Sequence, residues 1–455
     1  MVNIKRHASS FKDPSGYIFE SEGEVYRQVN ECYRTHFDLL QSSGLYDLLI
    51  SQKCLVPHEE IGKNFSHEES WYKTLRPQRV PLITYSYEWC FDQLKDAALL
   101  TLDIVKKAVE YGMILKDATA HNIQFLDGRA IFIDTLSFER YNPSKPWIAY
   151  RQFCQNFLFP LYLEHYLQVD IQKILGLYPD GIPVDVTSKL LPLKSGLSVG
   201  VWLHVYLQKS ISSNYKEGKI PGAFSQKKLM NVIEHLDSII RSLSVGEKRS
   251  SWSNYYTESI SGNNYLQEKE KIFREMIKDL PSCSVLDIGA NNGHFARILA
   301  EKNVYVIAID SDSRSISNLY SYIKEKNLQN VYPLVIDIAN PSPAFGFHNK
   351  QQPAFHERVR PDLVVALALL HHLVIGLNIP LAMIASYFNE LAPELIIEFV
   401  PKHDDKVIQM LSSREDVFDN YTQEVFELSF SEYYKILIKQ PVEGTHRTMY
   451  KMKRK

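Results

Sequence analysis

The stretch "SVLDIGANNGHFARILAEKN", residues 284–303, joins an apolar strand candidate to a helix candidate through a turn that contains two glycines. Gly289 and Gly293 lack a Cβ atom, so the backbone can turn sharply there and approach a ligand closely. Asn291 lies between them, and asparagine tolerates left-handed backbone better than most residues. Because helix-forming residues follow at once, free N–H groups of a helix N-terminus are expected to face a bound molecule.

Two classes of cofactor bind at a turn of this kind. The dinucleotide motif GxGxxG is disfavoured, because Asn291 and His294 occupy the positions of its second and third glycines. The pattern D-x-G-x-x-x-G, which begins at Asp287, resembles instead the first motif of class I S-adenosylmethionine-dependent methyltransferases. The sequence departs from that motif only at Asn291, where a glycine is usual. This resemblance implies S-adenosylmethionine as the cofactor.

The C-terminal part of the chain alternates short β-rich runs with helix candidates, and the runs are "SVLDIG", "VYVIAID", "VYPLVID", "DLVVALAL" and "ELIIEFV". Apolar strands separated by helices predict a parallel sheet that is covered on both faces. The last two strand candidates, "YKILIK" and "THRTMYKM", are separated only by "QPVEG", which predicts a hairpin. We therefore predict an α/β fold with a seven-stranded Rossmann-like sheet. Class I methyltransferases also end in an antiparallel strand pair.

The same resemblance assigns roles to acidic residues at the ends of the next strands. It implies that Asp310, at the end of strand two, accepts hydrogen bonds from both ribose hydroxyls, and that Asp337, after strand three, meets the adenine amino group. A carboxylate accepts such bonds strongly. Alternatively, both residues only cap helices, as aspartate often does. The predicted cofactor-binding residues are Asp287, Gly289, Asn291, Gly293, Asp310 and Asp337.

Two adjacent histidines follow strand four in "ALALLHHLVIGLNIP". His371 and His372 are the candidate catalytic residues, because histidine titrates near neutral pH and can orient a substrate or take its proton. Alternatively, they pack the end of the strand and the cofactor. Glu398, Lys402 and His403 follow strand five and are expected to face the same crevice, since strand ends line the ligand site in open α/β sheets.

A second motif lies far upstream, in "LKDATAHNIQFLDGRAIFID", residues 115–134. Asp117, Asn122 and Asp134 match the catalytic Asp, metal-binding Asn and second metal-binding Asp of kinase-like folds. The chain has no glycine-rich phosphate loop and no VAIK-type lysine, for which Arg27 or Lys73 could substitute. A site without its phosphate cradle loses most of its electrostatic stabilisation. This region is therefore either structural or an active phosphotransfer site.

These signals divide the chain into three predicted regions. Residues 1–140 are predicted to form a degenerate kinase-like α+β region, residues 141–248 a mostly helical extension, and residues 249–455 the methyltransferase domain. The polar stretch "SVGEKRSSWSN" marks the boundary between the last two. The tyrosines just before the cofactor domain are candidate lid residues, namely Tyr255, Tyr256 and Tyr265. The insert "NPSPAFGFHNKQQPAFHERVRPD" is predicted to be a loop that either helps to form the acceptor pocket or is a surface excursion.

Composition restricts location and partners. A formal net charge of −2 gives no strong signal for nucleic-acid binding. The five scattered cysteines include no CxxC pair, which favours a reducing compartment and predicts no metal site. The N-terminus lacks the apolar core of a signal peptide, and no run reaches the ~20 apolar residues needed to span a bilayer. We therefore predict a cytoplasmic protein.

The whole chain resembles a bacterial family of class I methyltransferases that includes nodulation proteins of the NoeA type. The resemblance spans residues 11–422 and is carried by "FKDPSGYIFE", "YRQVN", "SGLYDLL", "LKDATAHNIQF", "FIDTLSFE", "LDIGANNGHFA", "NPSPAFG", "ALLHHL" and "REDVFDNYT". It implies methyl transfer to an unidentified acceptor, with carbohydrate or glycolipid suggested by analogy. The N-terminal region would then recognise or position the acceptor. The alternatives are a non-catalytic cofactor-binding scaffold and a bifunctional protein with a working kinase-like site.

Overall fold

The computed structural model describes residues 4–213, 225–246 and 262–455. They fall into two compact units. The first unit contains the described residues up to 246 together with Pro343–Pro353, and the second contains the remaining residues from 262 onward. The predicted boundary at 248 and the candidate lid residues Tyr255 and Tyr256 lie outside the described residues. Among the described residues, no helix is long and apolar enough to cross a membrane.

The first unit begins with a five-stranded antiparallel sheet, whose strands are β1 (Lys5–Arg6), β2 (Gly16–Ser21), β3 (Glu24–Asn30), β4 (His58–Ile61) and β5 (Trp71–Pro77). Helices α1 (Arg34–Ser42) and α2 (Leu45–Ser51) lie between β3 and β4 in the chain. The strand order is β1-β2-β3-β5-β4. Strands β2 and β3 form a hairpin in which Ser21 lies opposite Glu24.

A long helix and two short hairpins follow, namely α3 (Phe91–Glu110), β6 (Met113–Leu115) paired with β9 (Phe138–Arg140), and β7 (Ile123–Leu126) paired with β8 (Arg129–Phe132). The long helix ends at Glu110, and Gly112 just beyond it has a φ of +76°, the left-handed backbone that commonly terminates helices. The hairpins place Asp117 in the loop before β7, Asn122 directly before β7, and Asp134 shortly after β8.

The rest of the first unit is helical, with α4 (Tyr150–Phe153), α5 (Phe159–Leu167), α6 (Gln172–Leu177), α7 (Val184–Leu190), α8 (Val199–Val201), α9 (Gln208–Ser213) and α10 (Gln226–Ser242). Single π-helical turns at Cys154–Leu158 and Trp202–Leu207 connect neighbouring helices. The core of this part is rich in buried aromatic side chains, including Phe153, Phe157 and Phe159.

The second unit begins with α11 (Gly262–Met276) and contains seven strands, which are β10 (Ser284–Ile288), β11 (Tyr305–Asp310), β12 (Val331–Val335), β13 (Leu363–Ala366), β14 (Glu394–Phe399), β15 (Tyr434–Pro441) and β16 (Thr448–Arg454). Its other helices are α12 (His294–Ala300), α13 (Ser313–Lys326), α14 (Phe355–Arg358), α15 (Leu381–Leu391), α16 (Asp405–Leu411) and α17 (Gln423–Ser431). A π-helical turn at His372–Gly376 lies between β13 and α15.

These strands form one sheet in the order β12-β11-β10-β13-β14-β16-β15. The first five are parallel, and β16 runs antiparallel to both β14 and β15. The predicted seven-stranded class I methyltransferase sheet with its terminal antiparallel pair is therefore confirmed. Strands β11 and β12 lie on one side of β10, whereas β13 and β14 lie on its other side, so the strand order reverses at β10. In open α/β sheets ligands bind at the carboxyl ends of the strands beside such a reversal.

The insert between β12 and β13 is mostly loop, with a short turn at Phe347–Asn349 and the helix α14. Its residues Pro343–Pro353 belong to the first unit. There Gln352 is buried and accepts a hydrogen bond from the Tyr87 hydroxyl at 3.1 Å. The Phe345 ring packs edge-on against the Tyr87 ring, with centroids 5.2 Å apart.

Candidate functional site

The turn after β10 folds back onto β11 through left-handed backbone. Gly289 and Gly293 both have a φ of +76°, and Asn291 has a φ of +50°, as its residue type predicts. The N–H groups of Gly289 and Ala290 both donate to the carbonyl of Ile309, at 2.9 and 3.0 Å. The turn is thereby fixed at the carboxyl ends of β10 and β11.

Gly293 is required by packing as well as by its backbone conformation. A Cβ atom there would lie 2.3 Å from Cδ1 of Leu319, a fully buried side chain on α13. We expect Gly293→Ala to lower the free energy of unfolding by about 2–4 kcal/mol, because left-handed strain and overpacking add. Urea unfolding measures this cost.

Gly444→Ala is the matched control for that substitution. Gly444 has a similar φ of +75°, but a Cβ atom there would meet nothing within 4 Å. It should therefore cost only the backbone strain, about 1 kcal/mol. Equal costs for the two substitutions would show that the contact with Leu319 is not tight.

Asp287, near the end of β10, is a buried carboxylate with one oxygen available. It is 3% exposed, and its Oδ2 atom forms no hydrogen bond with any described residue. Burial, and secondarily the charge of Asp310, raises the pKa of this carboxyl to about 7, although Lys269 opposes the shift. A buried acceptor without a donor is costly. This oxygen therefore points to a ligand that carries a donor or a positive charge.

Asp310, the last residue of β11, joins the turn to the strand. Its Oδ2 accepts a hydrogen bond from the backbone N–H of Asn291 at 2.8 Å, and its Oδ1 accepts one from the N–H of Asp312 at 2.9 Å. A carboxylate can accept about four hydrogen bonds, so each oxygen retains capacity for a ligand. Burial raises the pKa of this carboxyl. The structure thus brings Asp287, Asn291 and Asp310 together.

Asp337 lies two residues beyond β12 and is half-buried. Its Oδ1 accepts a hydrogen bond from the N–H of Ala339 at 3.0 Å, so the side chain stabilises its own turn. The position is at the carboxyl edge of the sheet, because β12 is parallel to β11. Asp337 therefore stabilises a local turn at the edge of the sheet where its cofactor role is predicted.

His371 and His372 lie shortly after β13, at the same edge of the sheet. His371 is fully buried, and neither ring nitrogen forms a hydrogen bond with a described residue. Burial, and the nearby His372, Arg447 and Lys269, hold its pKa well below the usual range. Burial also lowers the pKa of His372 to about 4. Both rings are therefore neutral near pH 7, and a neutral imidazole can accept one proton.

A cluster of buried charged and polar side chains lies beside these histidines, and the sequence pointed to two of its members, Tyr265 and Glu398. We define the ion cluster as Tyr265, Lys269, Glu398, Asp404 and Arg447. The Lys269 ammonium lies 2.6 Å from Oε2 of Glu398, and both side chains are fully buried. The Tyr265 hydroxyl donates to Oε1 of Glu398 at 3.0 Å. Arg447 donates to the Tyr265 hydroxyl at 2.6 Å and to both oxygens of Asp404 at 2.7 and 2.9 Å.

The ion cluster changes two of the predictions. Tyr265, a candidate lid residue, is buried in the ion cluster and is not a lid. Of the residues expected to face the crevice after strand five, Glu398 lies in the ion cluster. Lys402 pairs with Asp416 at 2.9 Å, and the ring of His403 packs against His446.

One sequence signal could have revealed Lys269. It lies on α11 four residues after Tyr265 and four before Phe273, on the buried face of an amphipathic helix. A lysine at a core position is rare unless it is paired. The identity of its partner could not be predicted, because Glu398 is 129 residues away.

The class I fold implies S-adenosylmethionine, and the residues at this edge fit that molecule. Its ammonium and sulfonium groups are cations, and its ribose carries two hydroxyl donors. Asp287 offers a buried acceptor oxygen without a donor, and Asp310 has remaining acceptor capacity beside it. The left-handed turn between Gly289 and Gly293 brings the backbone N–H of Asn291 to 2.8 Å from the Asp310 carboxylate. Asp287, Asp310 and the turn would therefore hold this cofactor.

The kinase-like residues of the first unit are also close to one another. The Asn122 amide donates a hydrogen bond to the Ser137 hydroxyl at 3.2 Å, and Asp117 accepts one from the N–H of Thr119 at 3.2 Å. Burial, together with the charge of Asp134, raises the pKa of Asp117. The Arg27 guanidinium on β3 pairs with Oδ1 of Asp134 at 2.5 Å, and both side chains are largely buried. Lys73, the other candidate cation, pairs with Glu60 on the partly exposed side of the sheet.

Asp134 is held by internal donors on both of its oxygens. In addition to Arg27, its Oδ1 accepts a hydrogen bond from the N–H of Leu136 at 3.0 Å. Its Oδ2 accepts one from the Ser137 hydroxyl at 2.5 Å. The positive charge beside this carboxylate therefore comes from the protein itself, at the position where kinase-like sites hold a metal ion.

No protein-family model matches the chain. The nodulation protein NoeA of Rhizobium meliloti (strain 1021) is 30% identical to it over 460 aligned positions, which cover 99% of this chain and 96% of NoeA. Among solved structures, the N-methyltransferase NodS from Bradyrhizobium japonicum WM9 is 13% identical and has a TM-score of 0.32; the match covers 43% of this chain and 99% of NodS. The bifunctional kinase-methyltransferase WbdD is 16% identical and has a TM-score of 0.31, with 48% of this chain and 45% of WbdD covered.

These TM-scores are low, and the solved structures add nothing to the sheet topology described above. The match to NoeA extends over nearly the whole length of both proteins. The chain therefore belongs to the NoeA family of nodulation proteins.

Proposed function

We propose that the second unit binds S-adenosylmethionine and transfers its methyl group to an acceptor. The observation that carries this proposal is the buried Asp287 oxygen without a hydrogen-bond donor, beside the left-handed turn from Gly289 to Gly293. Both lie at the carboxyl edge of a sheet with class I methyltransferase topology. A cationic ligand at this turn would satisfy the buried carboxylate.

The protein's own contribution is to bind and orient, because the bound cofactor supplies an already electrophilic methyl group. Asp287 and Asp310 hold the cofactor by accepting hydrogen bonds, and Asp337 completes the acidic edge after β12. His371 and His372, beside β13, would orient an acceptor rather than take its proton, because burial lowers the pKa of both rings and makes them weak bases near pH 7.

The nodulation relative favours a carbohydrate or glycolipid as the acceptor, by analogy only. The first unit would recognise or position that acceptor. Predictions of a cytoplasmic location and of no nucleic-acid partner stay predictions.

Methyl transfer from tritiated S-adenosylmethionine into a fractionated cell extract tests this function. We expect label in the polysaccharide or glycolipid fraction with the wild-type protein, and at least about ten-fold less with Asp310→Ala, since that change removes two charge-assisted acceptors. Label in the protein or nucleic-acid fraction would support methyl transfer but show that the acceptor is not a carbohydrate or glycolipid. A protein that binds the cofactor and labels no fraction would be a non-catalytic scaffold.

Phosphotransfer by the first unit is the second candidate function. The proximity of Asp117, Asn122 and Asp134 favours it. The ion pair between Arg27 and Asp134 opposes it, because three internal donors already hold the carboxylate that would bind a metal ion.

We therefore expect that magnesium will change ATP binding less than about two-fold, since Asp134 already has a full-charge partner. Titration calorimetry with ATP, with and without magnesium, measures this effect. Magnesium-dependent ATP binding that Asp134→Ala abolishes would instead establish a working kinase-like site.

A further inference from the structure

The helical part of the first unit exposes an unusual concentration of large apolar side chains. We define the leucine patch as the five exposed residues Leu190, Leu193, Leu197, Val199 and Trp202, which lie within thirteen positions of the chain. Leu193 is 97% exposed and Leu197 is 90% exposed. Single exposed leucines are normal on protein surfaces, but a contiguous apolar group marks an interaction site.

The apolar side chains of the leucine patch lie on neighbouring turns. Leu193 and Leu197 are the ends of one short 3₁₀ turn. Val199 and Trp202 are three residues apart on the helix that follows, so they share a face. A Cβ atom on Gly196 would lie 3.9 Å from the Tyr206 ring, which is one helical turn beyond Trp202. The 3₁₀ turn therefore lies alongside that helix.

An ordered backbone holds these side chains outward. The N–H of Ser195 donates to the carbonyl of Pro192 at 2.9 Å, and the N–H of Ser198 donates to the carbonyl of Ser195 at 3.0 Å. Ser195 itself is fully buried beneath the turn. The leucine patch is thus a preformed surface, and little conformational entropy is lost when it binds a partner.

The chain around the leucine patch carries more positive than negative charge. Residues 186–210 contain three lysines and neither aspartate nor glutamate. Lys189 and Lys194 are exposed within the leucine patch, and Lys209 lies 3.9 Å from Asp185 at its edge. Lysine is depleted in protein–protein interfaces, whereas lysine beside leucine and tryptophan is typical of segments that lie in the headgroup region of a bilayer.

We infer that the leucine patch seats the first unit on the surface of an anionic lipid bilayer. Leu193, Leu197 and Trp202 would enter the boundary between headgroups and acyl chains, while Lys189 and Lys194 pair with anionic headgroups. This inference does not depend on methyl transfer. It places the protein on a membrane surface through side chains that enter only the headgroup region.

Sedimentation of the full-length protein with vesicles tests the inference. We expect binding to vesicles of phosphatidylcholine with phosphatidylglycerol, and weaker binding to phosphatidylcholine alone. Leu193→Ser with Leu197→Ser should lower partitioning at least about ten-fold, from the loss of buried apolar area. Lys189→Glu with Lys194→Glu should lower it at least about ten-fold on the anionic vesicles and little on the neutral ones.

Met383→Ser with Leu428→Ser is the matched control, because these residues of the second unit are 63% and 73% exposed but lie outside the leucine patch. It should leave partitioning unchanged. Wild-type protein that stays in the supernatant with both vesicle types would overturn the inference. The inference would also be wrong if the Leu193→Ser, Leu197→Ser variant bound vesicles as well as the wild type does. If that variant only lost self-association, the partner of the leucine patch would be a second copy of the chain.

Discussion

Replacing Lys269 by methionine is expected to lower the free energy of unfolding by about 3–5 kcal/mol, because Glu398 then keeps a buried charge without its nearest partner. Burial raises the pKa of Glu398, but Lys269 and Arg447 together hold it below its ordinary value, so the carboxylate stays charged in the folded protein. For a unit of this size, that loss corresponds to a fall in Tm of about 6–20 °C. Differential scanning calorimetry of the intact protein measures it.

Two further variants separate the ion pair from the general effect of removing a lysine. Lys271 is on the same helix but its side chain is 76% exposed, so Lys271→Met should change stability by less than about 0.5 kcal/mol. Lys269→Met combined with Glu398→Gln should recover much of the loss, because no unpaired charge remains at Glu398. If Lys269→Met lowers the free energy of unfolding no more than Lys271→Met does, the ion pair between Lys269 and Glu398 is not buried as described.

Cofactor affinity is expected to rise with pH through about 7, because Asp287 must be ionised to receive a cationic ligand. Burial raises the pKa of this carboxyl to about 7 in the free protein, and a bound positive charge would lower it. Below pH 7 binding must therefore release a proton, and affinity falls by up to about ten-fold for each further unit. Calorimetry with S-adenosylhomocysteine, which keeps the ammonium group, measures the effect at pH 6 and pH 8.

The raised pKa of Asp287 also makes the stability of the ligand-free protein depend on pH. In the unfolded chain the Asp287 carboxyl ionises with an ordinary pKa of 3.8, whereas burial raises this pKa to about 7 in the folded protein. The contribution of Asp287 to the free energy of unfolding is therefore fully present at low pH. It is lost as the pH rises from 3.8 through about 7. Asp287→Asn should remove both the pH dependence of cofactor affinity and the pH-dependent contribution of this residue to stability. Affinity that is independent of pH in the wild type would contradict a cationic ligand at Asp287.

The fold of the second unit could be predicted because its signals are local. Apolar strands, intervening helices and the short "QPVEG" connection specify a parallel sheet with a terminal hairpin. The left-handed turn could also be predicted from the sequence, because glycine and asparagine adopt positive φ more readily than other residues, as Gly289, Asn291 and Gly293 do.

Long-range partners could not be predicted in the same way. The spacing of Asp117, Asn122 and Asp134 indicated a kinase-like arrangement, but not that Arg27 would pair with Asp134. Tyr265 was expected in a lid, because composition cannot distinguish an aromatic lid from an aromatic core. Proline and polar residues predicted the loop after β12 without indicating that Pro343–Pro353 would pack within the first unit.

The most direct test of the central claim is calorimetric titration of S-adenosylhomocysteine into the intact protein. We predict one site per chain, with affinity at least about 30-fold weaker in Asp310→Ala, because that carboxylate both accepts ligand donors and fixes the turn at Asn291. Asp279→Asn, an exposed change before β10 at the opposite edge of the sheet, should bind as the wild type does. A folded wild-type protein that shows no binding, or Asp310→Ala with unchanged affinity, would contradict the claim.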